Sequence, residues 1–258
     1  MSERLVVSET RQEVAFLTLD SPANRNALSV RLLEQLLTGL QDLLEDPQVR
    51  LVVLGHSGGV FCSGADLREQ ALAYQATGAS PGAGGLVPLL TMMLDSPKPI
   101  VCRIDGAVRG GGMGLVAASD VALASTSASF AFSEVRVGVA PAVISTPVLA
   151  KISRAAALEL FLSGRVFSAA EALAIGLINR TVEPSGLDDA VSSLLGELLR
   201  GAPGAQAEAK RLISAVPLMD RQVGFEQMVE LSARLFSSAE GQDGIAAFRE
   251  RRPPSWSH

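Results

Sequence analysis

Two stretches constrain this chain more than any other feature. In each, a short apolar run leads into a glycine-rich loop and then into the start of a helix. The first is RLVVLG (50–55), followed by HSGGVFCSGADL and a helix from about Leu67. The second is PIVCRI (99–104), followed by DGAVRGGG and by MGLVAASD, which opens a short helix. Apolar runs of five or six residues bounded by turn residues read as buried strands. Glycine at the strand-to-helix turn lets another backbone, or a ligand, approach closely. The chain is therefore expected to be α/β, with one module repeated in succession.

The flanking sequence fits this frame. Residues 5–7 and 14–19 are β-like runs around a polar turn, a hairpin signal. Ser29 precedes VRLLEQLLTGLQDLLED, an amphipathic helix with a good N-cap. ATGASPGAGG (76–85) is long and small enough for a flexible rim. DVALAS and ASFAFS continue the strands, and from Pro141 onward helical spacing dominates. Residues 187–252 are rich in Leu and Ala with charges between, and are expected to pack partly on the core and partly on another subunit, the alternative being a helical cap within one chain.

Of 258 residues, 48% are hydrophobic and 19% charged, enough for a filled core. Aromatics are only 4%, so that core must be built from Ala, Val, Leu and Ile. The net charge of −5 with scattered cations argues against nucleic acid. Cys62 and Cys102 are too few for a disulfide scaffold or a cysteine zinc site, and are expected to be reduced thiols of a cytoplasmic protein. The charged N-terminus has no signal core, and LVPLLTMML, interrupted by Pro88, is too short to span a bilayer.

Three familiar chemistries fail on their own terms. GHSGG (55–59) fits the nucleophile-elbow pattern, but the two histidines are His56, inside the motif, and the terminal His258, so a triad cannot be assembled. GMGLVA (112–117) fits the looser dinucleotide pattern and Glu134 lies at a suitable distance. Asp120, however, begins a strand too soon for the helix that motif needs. No acid or histidine cluster offers a metal site. What remains is the pair of loops, with Gly64, Ala65 and Asp66 in one and Gly110, Gly111 and Gly112 in the other. Helix starts present unsatisfied N–H groups at the positive end of the dipole. Two converging on one point would form an oxyanion hole. The same glycines could equally serve tight turns alone, and the residues by themselves leave both readings open.

At these residues the sequence resembles the enoyl-CoA hydratase/isomerase (crotonase) superfamily. The resemblance rests on ordered motifs: NRNALS (24–29), VRLVVLGHSGGVFCSGADL (49–67), SPKPIVCRIDGAVRGGG (96–112), FAFSEVRVGVAP (130–141), FLSGRVFSAAEALAIGLIN (161–179) and EGQDGIAAFRERRPP (240–254). It implies a crotonase-like spiral of repeated ββα units over residues 1–195 and a C-terminal helical trimerisation region over residues 196–258. It implies a homotrimer or dimer of trimers. The substrate it implies is an acyl-CoA thioester, with coenzyme A as part of the substrate and no permanently bound cofactor. Carried over by position, the backbone N–H groups of Ala65 and Gly111 would be the oxyanion donors. Ala65, Asp66, Leu67 and Arg68 would line the CoA path, with Arg25 and Ala27 from the early loop. Arg251 would reach a CoA phosphate, in some relatives across a subunit boundary.

Hydratases of that superfamily use two glutamates. Glu134 in FSEVRVG matches one, although an exposed acid paired with Arg136 would look the same in sequence. The other position is Gly114, expected to be a vacancy. One carboxylate suffices to shift a double bond, and could also run hydration by activating water and passing the same proton on. Three outcomes therefore stand: hydratase, isomerase, or an acyl-CoA-binding paralogue without turnover. Asp120, six residues beyond Gly114, is expected to be structural. Arg109 stands where relatives have an apolar residue, and GVAPAVISTP (138–147) resembles methylglutaconyl-CoA hydratases. Arg109 or Arg136 could then grip a distal carboxylate of the acyl group, or simply face outward in a salt bridge.

Overall fold

Strand pairing begins at the N-terminal hairpin of this computed structural model, which describes residues 3–79 and 82–257. β1 (Val6–Arg11) and β2 (Val14–Leu19) are antiparallel, with Val6 opposite Leu19. The Ser29 hydroxyl accepts the Leu32 N–H at 3.2 Å and starts α1 (Val30–Glu45). Leu32, Leu36, Leu40 and Leu43 recur on one buried face of this helix. Each contributes about 1.5–3 kcal/mol by leaving water.

The repeating module then appears three times. β3 (Leu51–His56), β4 (Val60–Cys62) and α2 (Leu67–Thr77) form the first unit, to which α3 (Leu86–Asp95) is appended. Pro88 does not break α3; it sits in the first turn, where its missing N–H has no intrahelical partner to lose. β5 (Ile100–Ile104), β6 (Ala107–Arg109) and α4 (Gly111–Ala118) form the second. The third is β7 (Val121–Ser125), β8 (Ser129–Ala131), a 3-10 turn over Ser133–Val137, and α5 (Ala142–Leu149). Then follow α6 (Arg154–Ser163), β9 (Phe167–Ser168), α7 (Ala169–Ala174) and β10 (Arg180–Val182). The first strand of each unit joins a six-stranded sheet of order β1-β2-β3-β5-β7-β10, parallel from β2 onward. The second joins a four-stranded sheet of order β4-β6-β8-β9.

The main core fills the space between the sheets, α1, α3 and α4. A second core covers the opposite face of the large sheet. There Leu51, Val53, Val101 and Leu123 meet Leu187, Val191, Leu194 and Leu195 of α8 (Leu187–Leu199). β3 is covered on both faces, which is why it reads as an unbroken apolar run. α8 runs through position 195, so the division drawn between 195 and 196 falls inside a helix that packs on the sheet.

The chain ends in α9 (Pro203–Ala215), α10 (Arg221–Ser237) and α11 (Ala239–Glu250). Lys210 on α9 reaches back 2.7 Å to Asp120, whose carboxylate also accepts the Ile100 N–H at 2.7 Å. Asp120 is thus the structural residue the sequence suggested. α10 packs against α11 and leaves Phe225, Val229, Phe236 and Phe248 more than 60% exposed. No helix among the described residues is long and apolar enough to cross a membrane.

Candidate active site

The two glycine loops leave the C-terminal ends of β4 and β6 and touch each other. A Cβ placed on Gly110 would lie 3.3 Å from the Gly64 Cα. In the first loop the Gly64 carbonyl accepts the Leu28 N–H at 2.8 Å. A trans peptide points its C=O and N–H in opposite directions. That bond therefore turns the Ala65 N–H away from Leu28, and it finds no acceptor among the described residues. In the second loop Gly110 adopts φ +49°, ψ −122°, a conformation that a Cβ would strain. Its carbonyl accepts the Met113 N–H at 2.9 Å. The Gly111 N–H, first in α4, likewise has no acceptor among the described residues. Two uncommitted donors thus stand on touching loops, one of them at the positive end of a helix.

Glu134 belongs to the 3-10 turn after β8. The Gly110 N–H donates to the Ala131 carbonyl at 3.3 Å, which brings that turn beside the second loop. The Glu134 Oε1 would be 3.7 Å from a Cβ on Gly110. Its Oε2 is buried without a partner among the described residues. Burial raises the carboxyl above the ordinary range, opposed by a smaller backbone hydrogen bond. The pairing with Arg136 that sequence left open is not formed: Glu134 makes no salt bridge among the described residues. The Arg136 chain lies instead along Gly164, with Cγ 3.1 Å from a Cβ placed there.

Gly114, where the resemblance implies a missing glutamate, is closely packed. A Cβ on Gly114 would fall 2.6 Å from Cγ2 of Ile144 and 3.5 Å from Cδ1 of Leu90. Ile144, on α5, is 3% exposed. The space beside the Gly114 Cα is therefore occupied by a methyl group from another helix. The reason is packing: α4 and α5 approach closely because Gly114 has no side chain.

The other expected site residues take varied positions. Asn26, which sequence reading passed over, anchors the early loop. Its Oδ1 accepts the Ser21 N–H at 2.7 Å and its Nδ2 donates to the Val60 carbonyl at 2.8 Å. That holds Arg25, whose carbonyl accepts the Ser63 N–H at 3.1 Å, beside the first glycine loop. The Arg25 and Arg68 side chains are exposed and make no hydrogen bond or ion pair among the described residues. Ala27 is buried, Ala65 and Leu67 are exposed. The Asp66 carboxylate is a helix cap, accepting the N–H groups of Arg68 and Glu69 at 3.1 Å each. Arg251 ends α11 with φ +54°, exposed, and its guanidinium makes no bond within the described chain.

Arg109 fits neither expectation made for it. Its guanidinium donates to the carbonyls of Val108 at 2.9 Å and Ser129 at 2.7 Å, and to the Ser129 hydroxyl at 2.9 Å. Ser129 pairs with Ala107, so its side chain shares a sheet face with Arg109. Arg109 thus clamps β6 to β8, neither salt-bridged nor held free for a ligand carboxylate. The GHSGG turn is structural too: the Ser57 hydroxyl donates to Asp20 at 2.6 Å, and His56 Nε2 accepts the Asp105 N–H at 3.0 Å. A cleft of about 530 Å³ between Glu13, Arg50, Lys98 and Gln206 lies at the N-terminal ends of the parallel strands, away from both loops. No group of three potential metal ligands occurs among the described residues.

Touching loops that offer two free N–H donors beside a buried carboxylate can hold a developing oxyanion while a proton moves. The sequence profile of the enoyl-CoA hydratase/isomerase family matches residues 9–258, and the chain belongs to that family. An enoyl-CoA hydratase from Mycobacterium avium is 42% identical, with TM-score 0.74 over 99% of this chain and 100% of that one. Pseudomonas aeruginosa AtuE is 31% identical, with TM-score 0.93 over 99% of this chain and 100% of that one. Mouse mitochondrial methylglutaconyl-CoA hydratase is 30% identical over 256 residues, 97% of this chain and 81% of that one.

Proposed function

We propose that this chain hydrates an enoyl-CoA thioester with one carboxylate, Glu134. The observation that carries the reading is the buried, unpartnered Glu134 oxygen beside two uncommitted N–H donors. Glu134 takes a proton from water as the water oxygen bonds to the β-carbon. The double-bond electrons move toward the thioester, whose oxygen gains negative charge. The Ala65 and Gly111 N–H groups stabilise that oxygen, and Glu134 returns its proton to the α-carbon. Water is consumed whole and the carboxylate is regenerated. Its raised basicity suits the first step, since a carboxylate of ordinary pKa is a weak base toward water.

The exposed cations Arg25 and Arg68 flank the Ala65 loop and suit the CoA phosphates, with Arg251 joining them from a neighbouring subunit. The apolar faces of α10 and α11 support a homotrimer or dimer of trimers. Free, buried Cys62 and Cys102 accord with a reducing compartment, taken here as the cytoplasm. A branched or carboxylated acyl group is the favoured substrate class, by analogy with the name of the mouse relative. Arg136 is then the arginine to hold the distal carboxylate, because Arg109 is committed to Ser129.

A second reading is isomerase action, in which Glu134 shuttles one proton between carbons. Gly114 in place of a second acid favours it. Crotonyl-CoA, a 3-enoyl-CoA and 3-methylglutaconyl-CoA, each tried with wild type and Glu134→Gln, separate the readings. Glu134-dependent formation of a 3-hydroxyacyl-CoA supports hydration. Conversion of the 3-enoyl-CoA alone supports isomerisation. Thioester binding without turnover would mean a binding protein, and absence of CoA-thioester binding would overturn the whole reading.

A further inference from the structure

Both candidate oxyanion donors are one residue away from a glycine that meets the same side chain. Cys62, the last residue of β4, is fully buried between the loops. Its Sγ accepts the Gly64 N–H at 3.4 Å, and the same side chain packs against Gly112 of the second loop. Gly64 precedes Ala65; Gly112 follows Gly111. The fit is close enough that a Cβ on Gly112 would lie 2.7 Å from Cys62 Cβ and 3.1 Å from its Sγ. Leu28 and Met113 already set the tilt of the two donor peptides within their own loops. Neither of those bonds joins one loop to the other, whereas the Cys62 side chain touches both.

We infer that Cys62 is a positioning residue for the oxyanion hole, its side chain, bonded to Gly64 and packed on Gly112, acting as a spacer that sets the separation of the Ala65 and Gly111 donors. Sulfur suits this task because its large radius lets it accept the Gly64 N–H and also fill the gap to Gly112, where a hydroxyl oxygen would fall short. Burial pushes the thiol up to about 12, so it stays neutral and unreactive while it accepts. Donors aimed at a developing oxyanion matter more in the transition state than in the ground state. Loss of the sulfur should therefore lower kcat and leave ground-state binding nearly unchanged. The inference rests on the oxyanion reading of the previous subsection.

The test compares wild type, Cys62→Ala, Cys62→Ser and Cys102→Ala. Cys102 is the other buried thiol, on β5 and outside the loops. Each protein is bound to crotonyl-CoA carrying a labelled carbonyl, and the carbonyl stretch is read by infrared spectroscopy beside kcat, KM and thermal midpoint. Wild type and Cys102→Ala are expected to shift the stretch to lower frequency. Cys62→Ala is expected to lose most of that shift and about 10- to 100-fold in kcat, below the 10²–10³ typical for deleting a whole donor. Its KM should stay within about threefold. Cys62→Ser, with a smaller acceptor, should fall between, and it carries the test if the alanine variant fails to fold. A Cys62 variant that keeps both the wild-type shift and kcat overturns the positioning role alone. No shift in wild type overturns the oxyanion hole itself, and the role of Cys62 with it.

Discussion

Replacing Gly114 with alanine, alone and together with Ile144→Ala, tests whether the missing acid position is filled. In an ordinary helix interior, Gly→Ala stabilises by about 0.5–1 kcal/mol through backbone entropy. Here the new methyl would stand 2.6 Å from Ile144 Cγ2, roughly 1 Å inside normal carbon contact. Overpacking of that kind costs about 1–3 kcal/mol, so the single variant should be destabilised by about 0–2.5 kcal/mol net. Ile144→Ala removes the opposing methyl from a nearly buried site and should cost about 2–5 kcal/mol. In the double variant the 2.6 Å contact is gone, the methyl at 114 keeps a tight 3.2 Å approach to the Cβ at 144 and an ordinary 3.5 Å contact with Leu90 Cδ1, and part of the helix-propensity gain returns. The two changes should therefore couple by at least about 1 kcal/mol, with the double variant more stable than the sum predicts. Urea unfolding of the four proteins measures this. Additivity within about 0.5 kcal/mol would refute the packing of α5 against Gly114 and restore the vacancy.

Glu134→Gln should lower turnover about 10²- to 10⁴-fold while raising the thermal midpoint. Because the folded carboxyl is raised, the native state holds its proton more tightly than the unfolded chain. This group's contribution therefore falls as pH rises from about 4.5 through the folded value, and the glutamine variant should lack that decline. His56 has the opposite sign: burial lowers its folded pKa, so the unfolded chain takes the proton first. Stability should drop as pH falls below about 6.5, as read from urea midpoints, and His56→Gln should flatten that slope; an unchanged slope would rule His56 out as its source. Gly110→Ala should cost about 1–3 kcal/mol for its backbone conformation, and kcat should fall by more than KM rises. Wild-type kcat in that variant would exclude a role for the loop in catalysis.

Much of the architecture was legible because its determinants are local. The hairpin around Gln12, the Ser29 cap, the leucine face of α1 and the strand-loop-helix punctuation each depend on a few neighbouring residues. The candidate carboxylate could be located by motif as well. Its environment could not, since burial of the Glu134 oxygen and the absence of an Arg136 partner depend on β8 lying beside the Gly110 loop. Asn26 and Cys62 were inside quoted motifs but carried no periodic signal. Their work is to hold loops that meet only after folding.

Glycine content and order alone determined where backbone donors could be exposed, since a residue without Cβ permits the turn wherever it stands. Only the tertiary structure decided which donors remain free. That depends on Leu28 and Met113 taking the neighbouring carbonyls, on Cys62 joining the two loops, and on Ile144 entering the space at Gly114. The sequence marked Gly114 as a missing acid, and packing made it a filled position. The Leu28 bond to Gly64 and the entry of Ile144 at Gly114 are contacts between residues distant in the chain, which hydrophobic period and local propensity do not encode.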